Sequence, residues 1–125
     1  MQRWCVLGGR LLLLMIAMVV CGCAGIASEQ NVVHMGATSF EQSSIRIKKG
    51  ATITLADDTT AVHRIENGRW DTNGMERPSR ERGAPMIDVQ IGGNESTTIG
   101  PFNVSGTFLL YCTVHPGMNL TIIVT

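Results

Sequence analysis

Phe108-Leu109-Leu110-Tyr111-Cys112-Thr113-Val114-His115-Pro116-Gly117-Met118-Asn119-Leu120-Thr121-Ile122-Ile123-Val124 decides how this chain folds. Side chains alternate between two faces of an extended strand. Phe108, Leu110 and Cys112 therefore share one face, with Leu109 and Tyr111 on the other. Met118, Leu120, Ile122 and Val124 share one face of the strand that follows. Both sulfur side chains continue an apolar face, so both should point into the same core at one end of it. His115 lies between them in a tight loop shaped by Pro116 and Gly117.

Outward from this stretch the period stays close to two. Ile87, Val89 and Ile91 alternate with Asp88 and Gln90. Gly92-Gly93-Asn94 then predicts a hairpin turn, with residues 95–99 returning as the partner strand and Gly100-Pro101 breaking it. Nearer the N-terminus, residues 31–36 read as a first strand. Ile45 and Ile47 alternate with Arg46 and Lys48, and Ile53 and Leu55 with Thr52 and Thr54, until Asp57-Asp58 ends the run. Ala61, His63 and Ile65 share a face of the next strand, which Asn67-Gly68 should stop with a turn. Between residues 69 and 85 the pattern is lost among charges, glycines and prolines. Connections in small domains usually run about 4–6 residues, so this excursion is long. It is expected to be a solvated surface segment with a short helix over 77–82. About eight short strands separated by turn signals predict an all-β antiparallel sandwich or barrel.

The chain has 125 residues, enough for one domain. Arg3 and Arg10 precede an apolar run of ten residues, Leu11 to Val20. A membrane-spanning helix needs about 20, so the run reads as the apolar part of a signal peptide. Val20-Cys21-Gly22-Cys23 resembles a bacterial lipobox. That resemblance implies residues 1–22 as signal peptide, Cys23 as a lipidated mature N-terminus, 23–30 as a tether and 31–125 as the folded domain. Ordinary cleavage near Ala24 or Ala27 is the alternative. The lipoprotein reading expects an extracytoplasmic domain, in the periplasm or at the cell surface, anchored to a membrane by acyl chains. Beyond residue 22 the chain carries eight basic and ten acidic side chains. That balance argues against a nucleic-acid partner, which favours a basic surface. Cys5 and Cys21 leave with the signal and Cys23 takes the lipid. Cys112 is then without a disulfide partner in an oxidising compartment, a state that suits a thiol occupied by an intermolecular pair or a metal.

A thiolate, an imidazole and a thioether are donors that suit copper. His63, on the inward face of a distant strand, is the candidate for a second imidazole. Tyr111-Cys112-Thr113-Val114-His115-Pro116-Gly117-Met118 with His63 upstream resembles the ligand set of the cupredoxins. Its Cys-x2-His-x2-Met spacing is closest to the short ligand loop of amicyanin. Phe40 and residues 45–54 resemble the family's early strands. The resemblance spans residues 32–125, leaving 69–85 unmatched, and implies a Greek-key β-sandwich with one mononuclear type 1 copper. His63, Cys112 and His115 would be its equatorial ligands and Met118 its weak axial one. In the family an asparagine commonly follows the first histidine and braces the ligand loop. Here Arg64 stands in that place, while Thr113, after the cysteine, matches. The family implies a non-enzymatic carrier of single electrons between a donor and an acceptor of the cytochrome, oxidase or dehydrogenase class, working as a monomer. Copper delivery to an oxidase or for metal resistance is the alternative, and zinc the rival metal. No carboxylate accompanies the loop as a catalytic zinc would require. Nothing in the sequence offers Cys112 an oxyanion hole for nucleophilic catalysis.

Overall fold

The computed structural model describes residues 30–125. The signal peptide, Cys23 and the tether as far as residue 29 lie outside the described residues. Among the described residues the structure is all-β. Nine strands form two sheets: β1 (Val32–Met35), β2 (Ser44–Ile47), β3 (Ile53–Asp57), β4 (His63–Trp70), β5 (Glu76–Pro78), β6 (Asp88–Ile91), β7 (Ser96–Ile99), β8 (Gly106–Cys112) and β9 (Asn119–Val124). The smaller sheet has the order β1-β3-β7. The larger has the order β2-β9-β8-β4-β5, with β6 also paired to β4.

Most pairings are antiparallel, and two are parallel: β1 with β3, and β2 with β9. Parallel neighbours need a crossover connection. Between β1 and β3 that crossover is β2, which lies in the opposite sheet. The first three strands thereby stitch the two layers together. The core fills the space between the layers with the inward members of each alternation, such as Val33, Leu55, Ile65, Leu110, Leu120 and Ile122, all fully buried.

Register carries the core face to the site. β8 and β9 pair Phe108 with Ile122 and Leu110 with Leu120. β4 and β8 pair Ile65 with Cys112. Directly opposed residues project to the same side of a sheet, so Cys112 and Ile65 face inward together. His63, two residues before Ile65, lies on that same face.

Three local expectations are corrected. Asn67-Gly68 does not end its strand, because β4 runs on to Trp70. Gly68 has φ of 130°, and a Cβ there would sit 2.5 Å from the Arg77 carbonyl oxygen and 2.9 Å from Tyr111. The glycine admits a close neighbour rather than a turn. Gly92-Gly93-Asn94 does turn the chain, but β6 and β7 are not partners. Ile91 pairs with His63 in the larger sheet and Ser96 with Ala56 in the smaller one. By splaying apart, the two strands turn Ile91 and Ile99 into the shared core, which a solvated two-stranded ribbon could not do.

The helix expected over 77–82 is absent. Glu76–Pro78 is strand β5, paired with the end of β4. Pro78 disfavours helical backbone angles at Arg77 before it and pushes that residue toward the extended region. The preceding turn is organised by the Asp71 carboxylate, whose Oδ1 accepts the Asn73 and Met75 amides, both at 2.9 Å. Those bonds, the Met75 amide foremost, hold its carboxyl below the usual range. The excursion thus folds back alongside the end of β4 as an edge strand of the larger sheet. There Tyr111 is buried beside Gly68, and its ring meets Trp70 edge-on at 6.1 Å.

Candidate metal centre

β4 and β8 place two donors by register alone. His63 opens β4 and is fully buried, and Cys112 closes β8 and is fully buried too. The chain then leaves β8, makes a tight loop and returns as β9. Inside the loop the Cys112 amide donates to the Met118 carbonyl (3.0 Å) and the Met118 amide to the His115 carbonyl (3.2 Å). Gly117, at φ of 80°, occupies a conformation that side chains disfavour. This closure turns His115 back toward Cys112.

Cys112 Sγ lies 3.7 Å from His63 Nδ1 and 3.5 Å from His115 Nδ1. The two imidazole rings stand 4.9 Å apart at 55°. A donor atom from each of the three residues falls within 4.8 Å of the others. Nitrogen and sulfur donors bind a first-row ion at about 2.0–2.3 Å. Neighbouring donors around such an ion therefore stand about 3.5–3.8 Å apart, which matches the spacing here. Met118 is buried in the same core cluster, next to the start of β9. The structure thus brings His63, Cys112 and His115 together at this end of the sandwich, with Met118 buried where β9 begins.

The surroundings are more explicit than the sequence suggested. The tie between the two ligand-bearing segments is a backbone bond, with the Thr113 amide donating to the Arg64 carbonyl at 2.9 Å. The Arg64 side chain turns outward, to Glu66 at 2.8 Å and Asp88 at 2.9 Å. A second tie comes from Trp70. Its indole Nε1–H donates to the Cys112 carbonyl at 2.8 Å. Its amide donates to Asn119 Oδ1 (2.7 Å), and Asn119 Nδ2 donates to its carbonyl (3.0 Å). The far end of β4 therefore clamps both ends of the loop.

Sequence reasoning missed Asp57. It read as the residue that stops β3, yet it continues the inward alternation of Ile53 and Leu55. Its side chain is fully buried, with Oδ2 3.8 Å from His63 Nε2. A carboxylate on a core face demands a partner, and that was the signal available. Burial pushes the His63 pKa below its ordinary value, opposed by the charge of Asp57 and reinforced by His115, with a smaller raising effect from the Gly36 backbone. A neutral imidazole, free to donate a lone pair to a metal, is the form this favours.

Residues 27–125 match the profile of the copper-binding proteins of the plastocyanin/azurin family. No curated protein is significantly similar to the chain. Among similar solved structures is amicyanin from Paracoccus versutus (Thiobacillus versutus), 20% identical with a TM-score of 0.59, covering 82% of this chain and 87% of that one. Another is a purple cupredoxin from Nitrosopumilus maritimus, 18% identical with a TM-score of 0.57, covering 77% and 100%. A reduced, Cu(I), form of an amicyanin variant is 19% identical with a TM-score of 0.60, covering 82% and 88%. At these identities the solved structures establish the fold. The family match covers most of the chain, and the chain belongs to the copper-binding proteins of the plastocyanin/azurin family. It is a cupredoxin, a copper protein of the electron-transfer class, and the cluster of His63, Cys112 and His115 is its candidate type 1 copper site.

Proposed function

We propose that this protein carries single electrons between larger redox proteins outside the cytoplasm, through one copper ion held by His63, Cys112, His115 and Met118. The convergence of Cys112 Sγ with the two Nδ1 atoms carries this reading. Bound copper supplies a one-electron Cu(II)/Cu(I) couple. The rest is done by the chain. The Cys112 thiolate would be the strong donor, the two imidazoles would suit both oxidation states, and the thioether of Met118 would be a weak donor. The β-sheet register and the closed loop hold these groups in place, so little has to move when the charge changes. Burial of His63, Cys112 and Met118 keeps water away.

Of the two site imidazoles, His115 is the one with an opening to solvent. Val114 beside it is 53% exposed, Pro116 and Gly117 are exposed as well, and Val62, next to His63 in the chain, is 47% exposed. This apolar rim is the surface on which a donor or acceptor of the cytochrome, oxidase or dehydrogenase class would dock, with electrons passing through His115. The lipobox-like Val20-Cys21-Gly22-Cys23 supports a membrane tether through Cys23, with the domain working as a monomer on the far side.

Addition of Cu(II) to the purified domain should produce an intense visible charge-transfer band. Cys112→Ser should abolish it, the largest single effect available. A colourless protein that retains only zinc would sink the proposal. Transfer of the metal to an acceptor, without fast reduction and reoxidation by a cytochrome, would favour delivery over electron traffic.

A further inference from the structure

Asp57 Oδ2 and His63 Nε2 are both buried with no partner at full hydrogen-bond distance; they face each other across 3.8 Å, and the Gly36 backbone is the other acceptor beside the imidazole. Buried polar atoms are nearly always satisfied, so two orphans aimed at one another belong to an interaction that is nearly closed. The other half of the carboxylate is already fixed. Asp57 Oδ1 accepts the Thr59 amide at 2.9 Å and the Thr59 hydroxyl at 2.8 Å. Thr59 Oγ1 in turn accepts the Ala61 amide at 3.1 Å. The turn between β3 and β4 therefore exists in a form that pins one oxygen and presents the other to the histidine.

We infer that Asp57 is a positioning residue for the copper site: its Oδ2 accepts the Nε2–H of His63, which holds Nδ1 unprotonated toward the metal and sets a negative charge behind that ligand. A contact of ordinary length, about 2.9 Å, lies about 0.9 Å from the present separation. A slight tilt of the imidazole closes it without disturbing the Thr59 bonds. Histidine ligands commonly donate their second ring nitrogen to a carboxylate or carbonyl, which fixes the tautomer and raises ligand basicity. Here the donor and acceptor come from different sheets, β4 and β3, so the contact also locks the layers together at the metal end. The sign of its effect on copper follows from charge. A buried anion near the metal favours Cu(II) over Cu(I), and in a weakly screening interior that preference is large.

The effect on potential rests on the copper reading above, whereas the hydrogen bond itself does not. Two measurements separate them. In metal-free protein, nitrogen-15 NMR of the His63 ring should find the proton on Nε2, shifted downfield and slow to exchange with water. In copper-loaded Asp57→Asn the Thr59 bonds can persist while the charge is lost. The Cu(I):Cu(II) ratio at a fixed potential should then rise about tenfold, a shift of about +59 mV for one electron. A proton on Nδ1 of the metal-free protein overturns the inference. So does a ratio changed less than about threefold, roughly 28 mV on the same scale, in a variant that keeps its visible band. If the Asn variant fails to fold, the ring proton in the unaltered protein still decides. If the unaltered protein gives no band with Cu(II), the copper reading fails, and the Nε2 proton alone judges Asp57.

Discussion

The two histidines of the site reach it by different physics. His63 stands on a strand in the middle of the larger sheet, fully buried, with Asp57 of the opposite sheet behind it. His115 stands in a loop that breaks the ladder between β8 and β9, half-buried, with its Nδ1 turned to Cys112. The first is held by the whole sandwich. The second is held by local closure of the loop and by the Trp70–Asn119 clamp. A site built this way is rigid on its inner side and open on its outer side, which is the division of labour that an electron carrier requires.

Removing each ring in turn breaks the comparison most directly. His115→Gly leaves a gap that opens to solvent, so added imidazole should enter it and restore the visible band. His63→Gly leaves a closed gap, and imidazole should restore little or nothing. Equal rescue of both, followed by absorbance, would mean that the buried side is not closed. A smaller effect comes from Gly68→Ala, midway along β4. A methyl group there meets the Arg77 carbonyl oxygen at 2.5 Å and Tyr111 at 2.9 Å. Destabilisation of about 2–4 kcal/mol is expected from steric conflict of this kind, read as a lower urea midpoint.

Trp70→Phe tests the loop side alone. It keeps an aromatic ring against Tyr111 but removes the donor to the Cys112 carbonyl. The loss of such a bond costs about 1 kcal/mol. Copper should leave this variant faster, with the tautomer of His63 unchanged by NMR. The smallest effect is the pH dependence of the metal-free protein. Burial holds the pKa of His63 down, while an unfolded chain returns it to about 6.5. As pH falls through about 6.5 the unfolded state takes up a proton that the folded state refuses, so stability falls, and goes on falling until the depressed folded pKa is reached. Urea midpoints at neutral and mildly acidic pH should show the decline, and His63→Gln should flatten it.

Much of this arrangement is written in the periodicity of the chain. The alternation through Phe108, Leu110 and Cys112, and through Ala61, His63 and Ile65, puts thiol and imidazole on core faces before any pairing is known. The spacing of His115 and Met118 in a Pro-Gly loop adds the rest of the donor set. The glycines were harder to read. Gly68 and the Gly92-Gly93-Asn94 turn carry the same local signal, and the signal does not say whether a glycine bends a hairpin, lets two strands part for different sheets, or admits a neighbouring backbone. Arg64 illustrates a further limit. Its side chain was the reason to think the loop unbraced, whereas the brace is its carbonyl, a group every residue has.

The sequence alone determined the all-β class, the four candidate metal ligands and the copper-suited character of the donor set. These depend on residue type and on a period of two, which are local properties. Only the tertiary structure decided that β1 and β2 cross between layers, that 76–78 is a strand paired with the end of β4, that Trp70 and Asn119 clamp the loop, and that Asp57 faces His63. Each of those is a meeting of segments remote in sequence. Which remote surfaces meet is set by how two twisted sheets bury their apolar faces together, and no single stretch of the chain contains that information.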